Sequence, residues 1–151
     1  MAPYYSKNEI DKIIRSANTG TDIRVLKRLK KVHKILVDSA IRLSKLEFIK
    51  YIRINEDEII ASNLLKSTRI FTPITEPEHQ LAIGIKVVYM FEIKTINFDE
   101  INSPLKGCGQ KMVDCILSDF PADWQAAVIM DWSGGFWEKM REKYAEIDWM
   151  Y

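Results

Sequence analysis

The sequence predicts a single α/β domain with a helical first third and a β-β-α-β-α-β remainder. Three observations carry that expectation. Val25, Leu29, Val32, Leu36, Ala40 and Leu43 recur at spacings of three and four, the apolar stripe of an amphipathic helix. From Glu58 the pattern changes to short apolar and β-branched runs. A Gly-x-Gly turn, Gly107-Cys108-Gly109, then follows a long apolar strand and leads into a second amphipathic helix. At 151 residues and 17.6 kDa the chain is long enough to bury about 70% of its unfolded surface in one core.

Ser6 caps a first helix over residues 7–17, with Glu9 in the capping-box position, and Asn18 to Gly20 break it. Asp22 is placed to cap a long basic-faced helix running to about Tyr51, with an interruption expected near Asp38 and Ser39. Ile59 and Ile60, then residues 69–74, read as strands, and residues 75–79 as a turn-rich connection. Residues 81–98 form the longest strand candidate, apolar on both faces as a central strand requires, with Gly84 able to divide it in two. Beyond the glycine turn come a helix ending near Asp119, a strand over 124–130, a turn over 131–135, a helix over 136–144 and a terminal strand over 145–151.

Charge is unevenly shared. Residues 1–53 hold 13 basic and 5 acidic side chains, a net +8, against a net −7 for the remainder and +1 for the whole. Arg24, Lys27, Arg28, Lys30, Lys31 and Lys34 supply much of the positive charge. Such a face is either plainly solvated or docks an acidic substrate, a nucleic acid or the phosphates of CoA. The near-neutral total argues against a dedicated nucleic-acid binder. No run of about 18 apolar residues suggests a membrane span, and the first residues lack the pattern of a secretory signal, so a cytoplasmic protein is expected. Cys108 and Cys115 on one helix would stand about 10 Å apart along its axis, too far for a disulfide. His33 and His79 are remote from each other, and no metal site is expected.

Free N–H groups at a glycine turn before a helix, backed by the helix dipole, suit a phosphate. The stretch Pro104-Leu105-Lys106-Gly107-Cys108-Gly109 resembles the [Gln/Arg]-x-x-Gly-x-[Gly/Ala] motif of the GNAT superfamily of N-acetyltransferases, with Pro104 in place of the usual first residue. Asp131 followed by Phe136-Trp137-Glu138-Lys139 resembles a second block of the same superfamily. The resemblance covers residues 80–151 and implies a mixed, mostly antiparallel central sheet flanked by helices.

That resemblance implies acetyl transfer from acetyl-CoA, a co-substrate, to a primary amine of an acidic, small or macromolecular acceptor. It places Lys106, Gly107, Cys108, Gly109, Gln110 and Lys111 on the pyrophosphate, with Asp131, Phe136 and Trp137 nearby. It puts Ile96, Asn97 and Phe98 at a splayed strand end whose backbone N–H groups meet the acetyl carbonyl, and it makes Glu92, in the central strand fifteen residues before Gly107, the general base. Trp137 stands where many members carry a tyrosine acid, which leaves the thiolate to solvent, Tyr144 or Tyr151. The alternative it raises is a GNAT-shaped binding module, for protein or nucleic acid, that has lost catalysis. The terminal strand offers an edge for a homodimer.

Overall fold

A computed structural model describes residues 3–63, 83–103, 106–128 and 135–150. The elements are β1 (Tyr4–Ser6), α1 (Lys7–Ala17), β2 (Asp22–Val25), β3 (Lys31–His33), α2 (Lys34–Ser44), β4 (Tyr51–Ile54), β5 (Glu58–Ser62) and β6 (Gly84–Met90). A 3-10 turn (Phe91–Ile93) leads to β7 (Thr95–Asn102), α3 (Cys108–Leu117), β8 (Gln125–Val128), α4 (Phe136–Lys143) and β9 (Asp148–Met150). Seven strands form one mixed sheet in the order β2-β4-β5-β6-β7-β8-β9, and β1 pairs separately with β3. The pairs β4-β5, β5-β6 and β6-β7 are antiparallel, whereas β2-β4, β7-β8 and β8-β9 are parallel. The α/β class and the mixed sheet expected from the sequence are present.

The first helix forms as its ends require. Ser6 Oγ accepts from the N–H of Glu9 at 3.2 Å, the Glu9 carboxylate accepts from the N–H of Ser6 at 3.0 Å, and Asn18 closes the helix in a left-handed conformation with φ 45°.

The predicted long basic helix does not form, and the first third is not predominantly helical. Its first half is strand, turn and strand. Ile23 and Val25 alternate with Asp22 and Arg24, so the same apolar residues that fit a helical stripe also fit a strand. Parallel pairing with β4, from Asp22↔Tyr51 to Val25↔Ile54, secures the strand reading. Only α2 remains helical. It starts where His33 Nδ1 accepts from the N–H of Ile35 at 3.1 Å, and it buries Leu36, Val37, Ala40 and Leu43 completely. Each large aliphatic buried in this way contributes about 1.5–3 kcal/mol.

Of the long strand candidate over 81–98, the described residues 83–98 form a hairpin rather than one strand. Its division lies not at Gly84, where β6 begins, but at the 3-10 turn, closed by Lys94 in the left-handed region at φ 48°. Glu92 therefore sits exposed in a turn, which corrects its expected place in a central strand.

Cross-strand rows define the sheet's two faces. Ile54, Ile59, Val87, Phe98 and Val128 form one row, and Tyr89, Ile96, Ala126 and Trp149 another. This is the helix-bearing face: Tyr89 lies by Ser39 and Arg42 of α2, and Trp137 of α4 packs on Phe98 and Trp149 at centroid distances of 4.9 and 6.4 Å. The other face is half-polar, with Lys86 Nζ 3.2 Å from Asp99 and 3.9 Å from Glu58. Lys86 faces Glu100 while Val87 faces Phe98, so Asp99 is the extra residue of a β-bulge in β7. Among the described residues no helix is long and apolar enough to cross a membrane. The strand and turn expectations over 69–79 lie outside the described residues, as do Pro104, Asp131 and Tyr151.

Candidate functional site

The glycine turn lies where β7 ends. Gly107 caps α3 in the left-handed region at φ 90°, without a side-chain cap, and a Cβ there would meet nothing within 4 Å. The first N–H groups of a helix have no intrahelical acceptor, so those of Cys108, Gly109 and Gln110 are oriented outward at the positive end of the α3 dipole. Lys106, Gln110 and Lys111 are exposed around them. The start of α3 thus combines a left-handed glycine, helix-end N–H groups and two exposed lysines.

Gly109 has a different role. A Cβ on it would stand 3.3 Å from Phe136 Cε1 and 3.4 Å from Ser103 Cβ. Phe136 is the first residue of α4, whose own cap, Gly135 at φ 113°, also lacks a side-chain hydrogen bond. The missing side chain of Gly109 thus lets the start of α4 close onto the start of α3. Because β7, β8 and β9 are parallel, both helices begin at the carboxyl ends of the strands they follow, the side of an α/β sheet where ligands commonly bind. The rest of the helix pair is tied at its far end. Tyr144 donates to Asp114 at 2.5 Å and Lys143 Nζ lies 3.0 Å from the same carboxylate.

Several predicted site residues come together here. Gly109, Phe136, Trp137 and Phe98 form one packed cluster, with Phe136 and Trp137 edge to face at 5.0 Å. Trp137 is 2% exposed, so its ring belongs to the core instead of lining an open site. Ile96, Asn97 and Phe98 are paired on both sides, with β6 and with Ala126, Ala127 and Val128 of β8. They are not a splayed end with free backbone N–H groups; the described β7-β8 ladder stops at Phe98, one residue before the bulge. Asn97 is 6% exposed, and among the described residues its Oδ1 has no hydrogen-bond partner.

Glu92 is not part of this cluster. It lies beyond the opposite end of β7, and eight strand residues span about 25 Å. Tyr144 does not replace the missing acid either: burial and the Asp114 carboxylate push its phenol well above the usual tyrosine range, and the group is committed to a strut between α4 and α3. Cys108 and Cys115 are both free thiols, and burial pushes Cys115 up to about 11. Among the described residues no group of three or more His, Cys, Asp or Glu side chains could hold a metal ion.

The other end of β7 carries a feature that sequence reasoning missed, a cavity of about 730 Å³ bordered by Tyr4, His33 and Phe91. Arg28, Lys30 and Lys31, part of the basic cluster visible in the sequence, line it, but the cavity itself could not be read because its lining comes from segments distant in sequence. No protein-family model, curated protein or solved structure matches the chain.

Proposed function

We propose that the chain is an acetyl-CoA-dependent N-acyltransferase of GNAT type, acting on a primary amine. The observation that supports this reading best is the meeting of two helix starts, both glycine-capped and without side-chain caps, at the carboxyl ends of the parallel strands β7 and β8 beside a bulge. Two dipole ends acting together, with Lys106 and Lys111 adjacent, suit the doubly charged pyrophosphate of CoA.

In this reading the N–H groups of Cys108, Gly109 and Gln110 hold the pyrophosphate and the two lysines screen its charge. Acetyl-CoA, when bound, supplies a thioester carbonyl carbon as the electrophile. The half-buried Asp99 marks the bulge, and its carboxylate is engaged by Lys86 Nζ at 3.2 Å. Proton removal from the amine is therefore assigned to water, and Glu92 is withdrawn from that role. Asn97 Oδ1, buried and without a donor among the described residues, is left as an acceptor for a ligand N–H, since an unmet buried carbonyl costs about 1–3 kcal/mol.

Calorimetric titration with acetyl-CoA tests the cradle. The informative variant is Gln110→Glu. A carboxylate in the first turn of a helix leaves α3 at least as stable, yet it repels a phosphate, so affinity should fall by about tenfold or more without loss of melting temperature. A folded wild-type chain that binds no acetyl-CoA overturns the reading. Glu92→Gln should leave turnover with an amine panel unchanged.

A second reading is favoured by one observation: Trp137 is buried where an acid is common and Tyr144 is engaged elsewhere. It is a GNAT-shaped module that binds CoA without turnover, and binding without acetylation of any amine would establish it.

A further inference from the structure

The cavity at the opposite pole is built from four segments. The loop after β2 and strand β3 contribute Arg28, Lys30 and Lys31 to its lining, the β4-β5 turn contributes Glu56 and Asp57, and Tyr4 and the 3-10 turn contribute the rest. Its volume of about 730 Å³ falls in the range of small-molecule sites, roughly 300–1,000 Å³. Three large apolar side chains are exposed among the described residues, and two of them, Tyr4 at 40% and Ile93 at 59%, border this cavity. The apolar surface of the molecule is thus concentrated where a ring could cover it.

The aromatic groups form a continuous file. Tyr4 meets His33 at 5.2 Å, His33 meets Phe91 at 4.8 Å and Phe91 meets Trp124 at 5.5 Å. Lys31 Nζ stands 4.7 Å from the centre of the Tyr4 ring. Lys27 and Lys30 are exposed, and no ion pair engages either among the described residues. Lys7 Nζ donates to the carbonyl of Lys27 at 2.9 Å, which brings a further cation to the same loop. The chain's overall charge is only +1, but an anion responds to the local field, and these cations gather at one pole.

Carboxylates complete the lining. Glu56 is paired with Arg28 at 3.3 Å, whereas Asp57 and Glu92 are exposed. Carboxylates beside an aromatic floor accept hydrogen bonds from the exocyclic amino groups and ring N–H of nucleobases. Cations, rings and carboxylates in one lining match the phosphate, base face and base edge of a nucleotide.

We propose that this cavity binds nucleoside phosphate units, presented by a single-stranded nucleic acid whose backbone follows the lysines while one or two bases enter against Tyr4 and Phe91. This site is separate from the glycine turn and does not depend on the acyltransferase reading.

Fluorescence anisotropy with a labelled ten-nucleotide single strand, in DNA and RNA forms, tests it across a salt series. The wild-type chain should bind at low salt. In the Lys30→Gln, Lys31→Gln double variant the slope of log affinity against log salt should fall by about 1.4, the value for two phosphate contacts on a single strand. Tyr4→Ala should lose about fivefold or more in affinity with the slope unchanged, because stacking is not ionic. Lys139→Gln, an equal loss of charge per residue on the exposed face of α4, should change neither. Competition by free ATP at comparable affinity would identify mononucleotides as the source of the shared chemistry, and failure of ATP to compete would identify the strand. The proposal is overturned if the wild-type chain does not bind the strand, if Lys139→Gln weakens binding as much as the double variant, or if Tyr4→Ala binds like wild type. A polyglutamate peptide that displaces the strand from wild type and from Tyr4→Ala equally would also overturn it, in favour of an acidic protein partner.

Discussion

At the Asn102 end of β7, glycines and buried aromatics bring two helix starts together, whereas at the Thr95 end exposed aromatic and charged side chains surround a 730 Å³ cavity. The first end spends its large side chains on packing: Trp137 is 2% exposed and Phe136 occupies the space that a Gly109 side chain would take. What it presents outward is the backbone of a helix start flanked by Lys106, Gln110 and Lys111. The second end leaves side chains outside the core and can offer ring faces, ammonium groups and carboxylates. The two ends therefore differ in how recognition can arise, by backbone geometry at one and by side-chain identity at the other. Substitutions should damage the fold at the first end and spare it at the second.

The largest expected effect is at Trp137. Trp137→Ala removes the ring that joins Phe98, Phe136 and Trp149, and denaturant unfolding should show a loss of about 3–5 kcal/mol. Tyr4→Ala, at the other end, should lose under about 1 kcal/mol. Equal losses would break the comparison.

Gly109→Ala comes next. Its helix propensity improves by about 1 kcal/mol, but the new methyl group presses on Phe136 and Ser103, so a net loss of about 1–2 kcal/mol is expected. The loss should shrink in a Phe136→Ala background, and a double-mutant cycle on unfolding free energies measures that coupling. Additive effects would return Gly109 to a role in ligand approach alone.

Tyr144→Phe should cost about 1 kcal/mol, since Asp114 keeps Lys143 at 3.0 Å after the phenol is lost. A larger loss, measured in the same way, would show that the far ends of α3 and α4 matter as much as their starts.

The smallest effect sharpens the contrast at His33, a ring of the cavity that also caps α2. Burial lowers its pKa below the ordinary 6.5, against a weaker opposing pull from Asp38. Protonation would also remove the Nδ1 acceptor that caps α2 and set a cation at the positive end of that helix. Above 6.5 both folded and unfolded chains are neutral at this residue and its contribution is complete. As pH falls through 6.5 the unfolded chain takes the proton first, so stability declines. His33→Asn, which keeps a capping oxygen, should flatten that part of the profile in thermal melts across pH.

Legibility followed the range of the interactions. The start and end of α1, the helix after the glycine turn, the strand over 125–128 and the helix over 136–143 were all readable, because caps, glycines and apolar periods act within a few residues. The candidate site was readable in part. Gly107 through Lys111 could be picked out as a turn before a helix, but the contact of Gly109 with Phe136, 27 positions later, could not.

By itself, then, the sequence determined the α/β class, the capped first helix and a glycine-capped helix start flanked by lysines, since the caps depend on hydrogen bonds and dihedral angles of neighbouring residues. Tertiary structure decided the rest. Residues 22–33 carry a helical stripe yet became strand and turn because β4 and β1 supply ladders that a helix would forgo. Glu92 left the central strand because antiparallel pairing of β6 with β7 required a turn there, closed by Lys94 without glycine or proline to announce it. A strand's partner, unlike a helix's hydrogen bonds, lies elsewhere in the chain, and only the folded sheet selects it.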